Sequence, residues 1–167
     1  MTSGPESAGP VFDIAARVVA ALTGAALVAL VCLVCGEAFL RGAFDHSLGF
    51  AEELTGYLVV FLTFFGAALA LRAGSLFRVE FLLDALSPLT RRRLTRVLAV
   101  AALVLCAVLA WKTKDVMLSS FARGKVAPTV LRTPLWIPQL ALPAGFLVIG
   151  LFLVEKLILT FRAEGRD

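Results

Sequence analysis

Uncharged runs separated by clusters of charge organise this chain. Val18 to Gly36, Leu54 to Leu71, Val97 to Trp111 and Leu135 to Val154 each lack Asp, Glu, Lys and Arg. At 1.5 Å per residue, the second run makes a helix of about 27 Å, close to the roughly 30 Å hydrocarbon core of a bilayer. The third run reaches only about 22 Å. It is expected to draw on Leu94 to Arg96 for length, with the Arg96 side chain snorkelling to the interface. Four membrane-spanning helices are therefore expected, over about 17–40, 54–72, 94–112 and 134–156. Between the second and third, "AGSLFRVEFLLDALSP" places Leu76, Val79, Leu83 and Leu86 on one helical face and Glu80, Asp84 and Ser87 on another. That pattern predicts an amphipathic helix at 75–87, ended by Pro88 and lying along the interface. The fold class expected is an all-α, single-domain membrane bundle spanning 1–167, with this arm as its one interfacial element.

Composition supports the class: 60% of the 167 residues are hydrophobic and 17% are charged. The N-terminal "MTSGPESAGP" lacks the basic start of a secretory signal, so the first span is expected to be retained. The net charge is +4, and its distribution says more than its sum. Ten Lys and Arg residues lie in the two tails and the second loop, and six lie in the first and third loops. By the positive-inside rule both termini are expected in the cytoplasm. The run "TRRRLTR" fits the same topology signal better than a nucleic-acid patch, and no nucleic-acid partner is expected.

Candidate chemistry is sparse. Cys32 and Cys35 have metal-like spacing but sit inside an apolar run, and Cys106 is the only other thiol, too few donors for a structural zinc site. His46 is the single histidine, which rules out a haem held by two histidines of this chain. No nucleophile motif or phosphate-binding loop is present. No catalysis, cofactor or metal is expected.

What remains is charge at the edge of the hydrocarbon, where it is expensive. Glu37 and Arg41 stand in the favourable i, i+4 order. They read either as a helix-end pair or as a link from the first helix to Glu52 or Glu53, or to a partner chain. Glu52 and Glu53 precede the second span, where the helix dipole favours acids, although two exceed what a cap requires. Arg72 closes that span, and Arg78 and Glu80 follow on the arm. Small residues four apart mark helix packing: Gly66 and Ala70 in the second span, and Ala21, Ala25 and Ala29 in the first. In "TPLWIPQLALPAGF", Thr133 suits a cap and Pro134 the first turn, while Pro138 and Pro143 are expected to bend the fourth helix. Trp136 fits an interfacial aromatic belt, and Gln139 offers a polar contact.

Several of these stretches, in order, resemble the small membrane subunit (DctQ type) of tripartite ATP-independent periplasmic (TRAP) transporters. They are "FLRGAF" closing the first span, "EEL" and "GYLVVFLTFFGAALALRAG" in the second, "FRVEFLLDAL" after it, and "LWIPQLALPAGF" opening the fourth. The resemblance runs from about Val11 to Phe161 and is most diagnostic between Leu40 and Leu86. Leu76 stands where the family often has a histidine, Glu80 where it has an aspartate, and Gln139 where it tends to have an aromatic residue. The resemblance implies a multi-pass protein of the bacterial inner membrane. It implies two partners, a large permease subunit carrying substrate and sodium sites and a periplasmic binding protein delivering an organic acid, with membrane lipid around them. The small subunit would act as scaffold, with the arm and Arg78 bracing the large subunit and the outer loops, Arg41 to Glu53 and Lys112 to Arg132, helping to dock the binding protein. Two alternatives stay open on the residues alone: a self-sufficient four-helix exporter using Glu37 as proton carrier, and a noncatalytic anchor subunit of a respiratory enzyme.

Overall fold

The computed structural model describes residues 8–74, 88–129 and 131–164, without the side chains of 88, 89, 91, 92 and 162–164. The expected arm at 75–87, with Arg78 and Glu80, lies outside the described residues. The described chain is helical: α1 (Pro10–Phe44), α2 (Ala51–Arg72), α3 (Pro88–Ala122), the short α4 (Trp136–Gln139) and α5 (Ala141–Glu164). Four segments are long and apolar enough to cross a membrane, with α4 and α5 together forming the fourth.

The helices outrun the uncharged stretches that predict them. α1 and α3 have 35 residues each, about 52 Å, so both extend well beyond a hydrocarbon core of about 30 Å. The short third run is thereby accommodated, because its helix continues through Lys112 and Lys114 to Ala122. Near that exit Lys114 Nζ lies 4.1 Å from the centre of the Trp111 ring, an ammonium over an aromatic face at interfacial depth.

Helix ends follow local chemistry. Pro10 opens α1 at its first turn, where a missing N–H is harmless. Asp45, at φ 49°, closes it in the left-handed region that aspartate tolerates. At the end of α3, Gly124 adopts φ 57° while its N–H donates to Phe121 and that of Lys125 to Ser120, a Schellman closure. The proline effect in the fourth span is a break. Pro143 has no N–H for the Gln139 carbonyl, so the backbone ladder is broken there while Leu140 keeps helical φ −62° and ψ −28°, and the helical bonding resumes with Ala144 N–H to Leu140. Within the spans, the hydroxyls of Thr23, Thr63, Thr113 and Thr160 each donate to the carbonyl four residues back, which satisfies them without water.

Packing produces a row. α1 packs on α2, α2 on α5, and α5 on α3. α2 and α5 therefore form the interior of the row, and α5 contributes Phe152, Leu153 and Glu155, the largest fully buried side chains. Phe152 and Leu153 cluster with Ala16 of α1 and Ala68 and Leu71 of α2. α1 lies at one edge: 6% of its apolar stretch is buried, against 22% of that in the α4–α5 segment.

Close approach of α2 and α5 depends on a glycine outside the small-residue pattern. A Cβ on Gly145 would stand 2.5 Å from Phe64 Cβ and 2.7 Å from its Cγ. The Phe64 ring in turn packs edge-on against Phe146 with centroids 4.9 Å apart. Around Gly66, a Cβ would meet nothing within 4 Å, and Ala70 is half-buried, so neither sets a tight contact inside the described chain. Gly145→Ala is expected to destabilise the chain by about 1–3 kcal/mol through overpacking. Thermal unfolding in detergent checks this, with Gly66→Ala expected to change little.

Candidate functional site

α1 runs opposite to α2 and α5, which run parallel to each other, and this brings the start of α1 and the C-terminal parts of α2 and α5 together beside Arg72. The guanidinium Nε donates to Glu155 Oε2 at 2.8 Å, and Nη2 donates to Glu155 Oε1 at 3.1 Å and to Asp13 Oδ1 at 2.5 Å. One cation thus ties α2 to both α5 and α1. The Arg72 and Glu155 side chains are 11% and 2% exposed, so the pair is buried, while Asp13, at 41%, keeps its edge open. The Ala8 N–H also donates to Glu155 Oε1 at 3.3 Å, and the Arg72 guanidinium carbon lies 5.7 Å from the Phe152 ring centre. A fork-shaped, permanently charged donor suits this task, because two carboxylates on different helices need separate donors in fixed directions. At the same end, Arg96 Nη2 donates to the Thr160 carbonyl at 3.4 Å and its guanidinium stacks 4.6 Å from the Phe161 ring. Arg96 therefore fastens α3 to α5 as well as extending the third span.

The opposite end holds the acids. Glu37 accepts from Ser47 Oγ at 2.7 Å and from the Leu48 N–H at 2.8 Å, and pairs with Arg41 at 3.4 Å. Arg41 also reaches Ser47 Oγ at 3.3 Å. Glu37 thereby stitches the α1–α2 loop to its own helix, and its carboxylate bonds to neither Glu52 nor Glu53. Glu53 Oε1 accepts from Tyr57 one turn on, at 2.5 Å. Its electrostatic neighbours are the hydroxyls of Thr129 and Thr133 and the N–H of Leu131, all from the loop before α4. Oε2 is buried among them without a hydrogen bond of good geometry, so the loop holds the acid mainly through dipoles. The loop is braced by Ala127 N–H to Thr133 and Leu135 N–H to Lys125. Phe121 packs edge-on against Trp136 across it, centroids 5.6 Å apart.

Of the residues singled out in the sequence, Glu37 and Arg41 meet each other, Glu53 meets its own helix and the loop before α4, and Arg72 joins the buried cluster. Glu52 is exposed beside them. Pro138 and Pro143 flank the helix break, and Arg78 and Glu80 lie outside the described residues. Asp13 and Glu155 were missed. The available signal was depth: Asp13 stands before the first uncharged run and Arg72 and Glu155 directly after the second and fourth, one level in an up-and-down arrangement. Among the described residues no group of three or more His, Cys, Asp or Glu is placed to hold a metal ion.

The fold and these clusters define a polytopic helical membrane protein whose buried charges are engaged in joining helices to one another. The family model for tripartite ATP-independent periplasmic transporters, DctQ component, matches residues 30–163 of the 167, and the chain belongs to that family. No curated protein matches it.

Arg72→Leu is expected to cost about 3–5 kcal/mol, because it strands the buried Glu155 charge. The double variant Arg72→Leu/Glu155→Leu should recover much of that loss. Unfolding midpoints of the purified chain in one detergent measure both, and equal losses in the single and double variants would show that the ion pair is not the cause.

Proposed function

We propose that this chain, a small membrane subunit of a TRAP transporter, is the static scaffold for a large sodium-coupled permease subunit. On this reading the complex imports an organic acid, a carboxylate, delivered by a periplasmic binding protein. The observation that carries the reading is the use of the membrane-edge charges. Asp13, Arg72 and Glu155 pair across three helices, one guanidinium between two carboxylates, and Glu37 is occupied by Ser47, Leu48 and Arg41. A transporter's own ion and substrate site calls for polar groups and interrupted helices near the midplane. Here the break at Leu140 falls at the start of the fourth span, and the centre of the row is filled by Phe152, Leu153 and Ala68.

The row arrangement supports a scaffold for a second reason. α1 and α3 occupy its two edges, and each presents large exposed apolar side chains, among them Val28 and Val31 on α1 and Val104 and Leu105 on α3. Such faces suit lipid or the helices of a larger membrane subunit equally well, and a rigid row fixes their spacing. The self-sufficient exporter is less well supported, since its proton carrier would be a Glu37 already held by a hydroxyl, an amide and a guanidinium. For the respiratory anchor, the chain supplies only His46 as a haem ligand, in the loop after α1.

Co-expression with a large TRAP permease subunit from the same source is expected to give a complex that survives mild detergent, and uptake in proteoliposomes only when both chains are present. Separate elution of the two chains would defeat the scaffold reading; uptake by the small chain alone would establish the exporter. Orientation has its own test. With both termini cytoplasmic, an alkaline phosphatase fused after Gly124 should be active, and inactivity there would invert the topology.

A further inference from the structure

Glu52 is the acid that neither the helix cap nor the ion pairs absorb. Its carboxylate has no hydrogen bond or ion pair among the described residues, whereas its neighbour Glu53 is tied to Tyr57. It lines a cleft of about 550 Å³ between α1 and α2 together with Arg41. Arg41 is 62% exposed and makes both of its polar contacts through Nη2, at 3.4 and 3.3 Å, which leaves Nε and Nη1 without a partner among the described residues. The rest of the lining is Glu37, which is held by Arg41, Ser47 and Leu48, together with Thr55 and an apolar floor of Val34, Ala38, Gly42 and Ala51.

We propose that this cleft binds one phospholipid whose headgroup carries a phosphate and a primary ammonium, with the phosphate on Arg41 and the ammonium on Glu52. Depth is the first argument. The uncharged run of α1 ends at Gly36, so the cleft opens where the hydrocarbon gives way to headgroups. Charge is the second. An acid with no partner and a guanidinium with spare donors face the same cleft, the arrangement that a zwitterion with adjacent opposite charges matches. The apolar floor then receives the start of an acyl chain. Headgroup chemistry narrows the class further. A choline headgroup has no N–H to give Glu52, and a glycerol headgroup offers hydroxyls but leaves the carboxylate's charge unneutralised. A primary ammonium supplies both hydrogen bonds and charge.

The test is native mass spectrometry of the full-length purified chain, mixed with phosphatidylethanolamine, phosphatidylcholine or phosphatidylglycerol at equal mole fraction. One phosphatidylethanolamine is expected to stay bound at higher occupancy than either of the others. Glu52→Gln should lower that occupancy constant roughly tenfold, the effect of losing one charge-assisted hydrogen bond, and should abolish the preference over phosphatidylglycerol. Because Glu52 is exposed, this variant is not expected to disturb folding. Gly42→Leu supplies an independent arm. A Cβ at Gly42 meets nothing within 4 Å, so the added side chain enters open space beside the floor and should expel the lipid with both charges intact. Equal retention of the three lipids, or retention unchanged by both variants, would overturn the proposal. So would a finding that Arg41 and Glu52 govern co-purification of a partner chain while no lipid is retained; the cleft would then be a protein docking site.

Discussion

Everything at the terminal end of the row is organised by one guanidinium that serves two carboxylates. Arg72 sits at the last turn of α2, and among the described helices α2 is the one in substantial contact with both α1 and α5. A charge in that position would ordinarily face headgroups. Here it is turned inward, because Glu155 comes from the central helix and Asp13 from the edge helix at the same depth. The pair is buried at the cost of desolvation, and its worth lies less in net stability than in register: sliding either neighbour by one turn would leave a charge unpaired. Apolar packing between spans fixes no such register, since lipid chains compete for the same surfaces.

The rest of the molecule follows from the same solvent. In hydrocarbon, side-chain hydroxyls turn back to their own helix, and Thr23, Thr63, Thr113 and Thr160 do so. Close contact has to come from shape. Gly145 lets Phe64 of α2 approach the backbone of α5, Ala68 is fully buried, and Phe152 and Leu153 fill the space between. The two ends then differ in character. Long-range ion pairs join separate helices at the end near the termini, whereas at the other end Glu37 and Glu53 organise loops and their own helices.

Much of this organisation was written along the chain. The four spans, the all-helical class and the kinship with the small subunits of tripartite transporters could be read from runs of uncharged residues and the stretches between them. Each of these depends on neighbours in sequence, the kind of information that a linear pattern retains. The same holds for the Glu37–Arg41 pair, four residues apart on one helix. The helix lengths were less legible: α3 continues past two lysines because long amphipathic side chains let a helix leave the hydrocarbon without ending.

Partnership across helices was not legible. Gly66 and Ala70 carried the small-residue pattern, yet the tight contact falls at Gly145, because rotation about a helix axis decides which small residue faces a neighbour. Arg72 stood out at the end of its span, but its partners, 59 and 83 residues away, emerged only when α1, running one way, and α2 and α5, running the other, set these charges at one level. The sequence by itself determined that the chain has four segments long and apolar enough to cross a membrane and where charge is allowed. Only the tertiary structure decided which charges pair with one another, which glycine admits a phenyl ring, and that the helices form a row with α2 and α5 inside it. Hydrophobicity is a property of segments and survives in one dimension, whereas pairing depends on the depth and rotation of helices relative to one another.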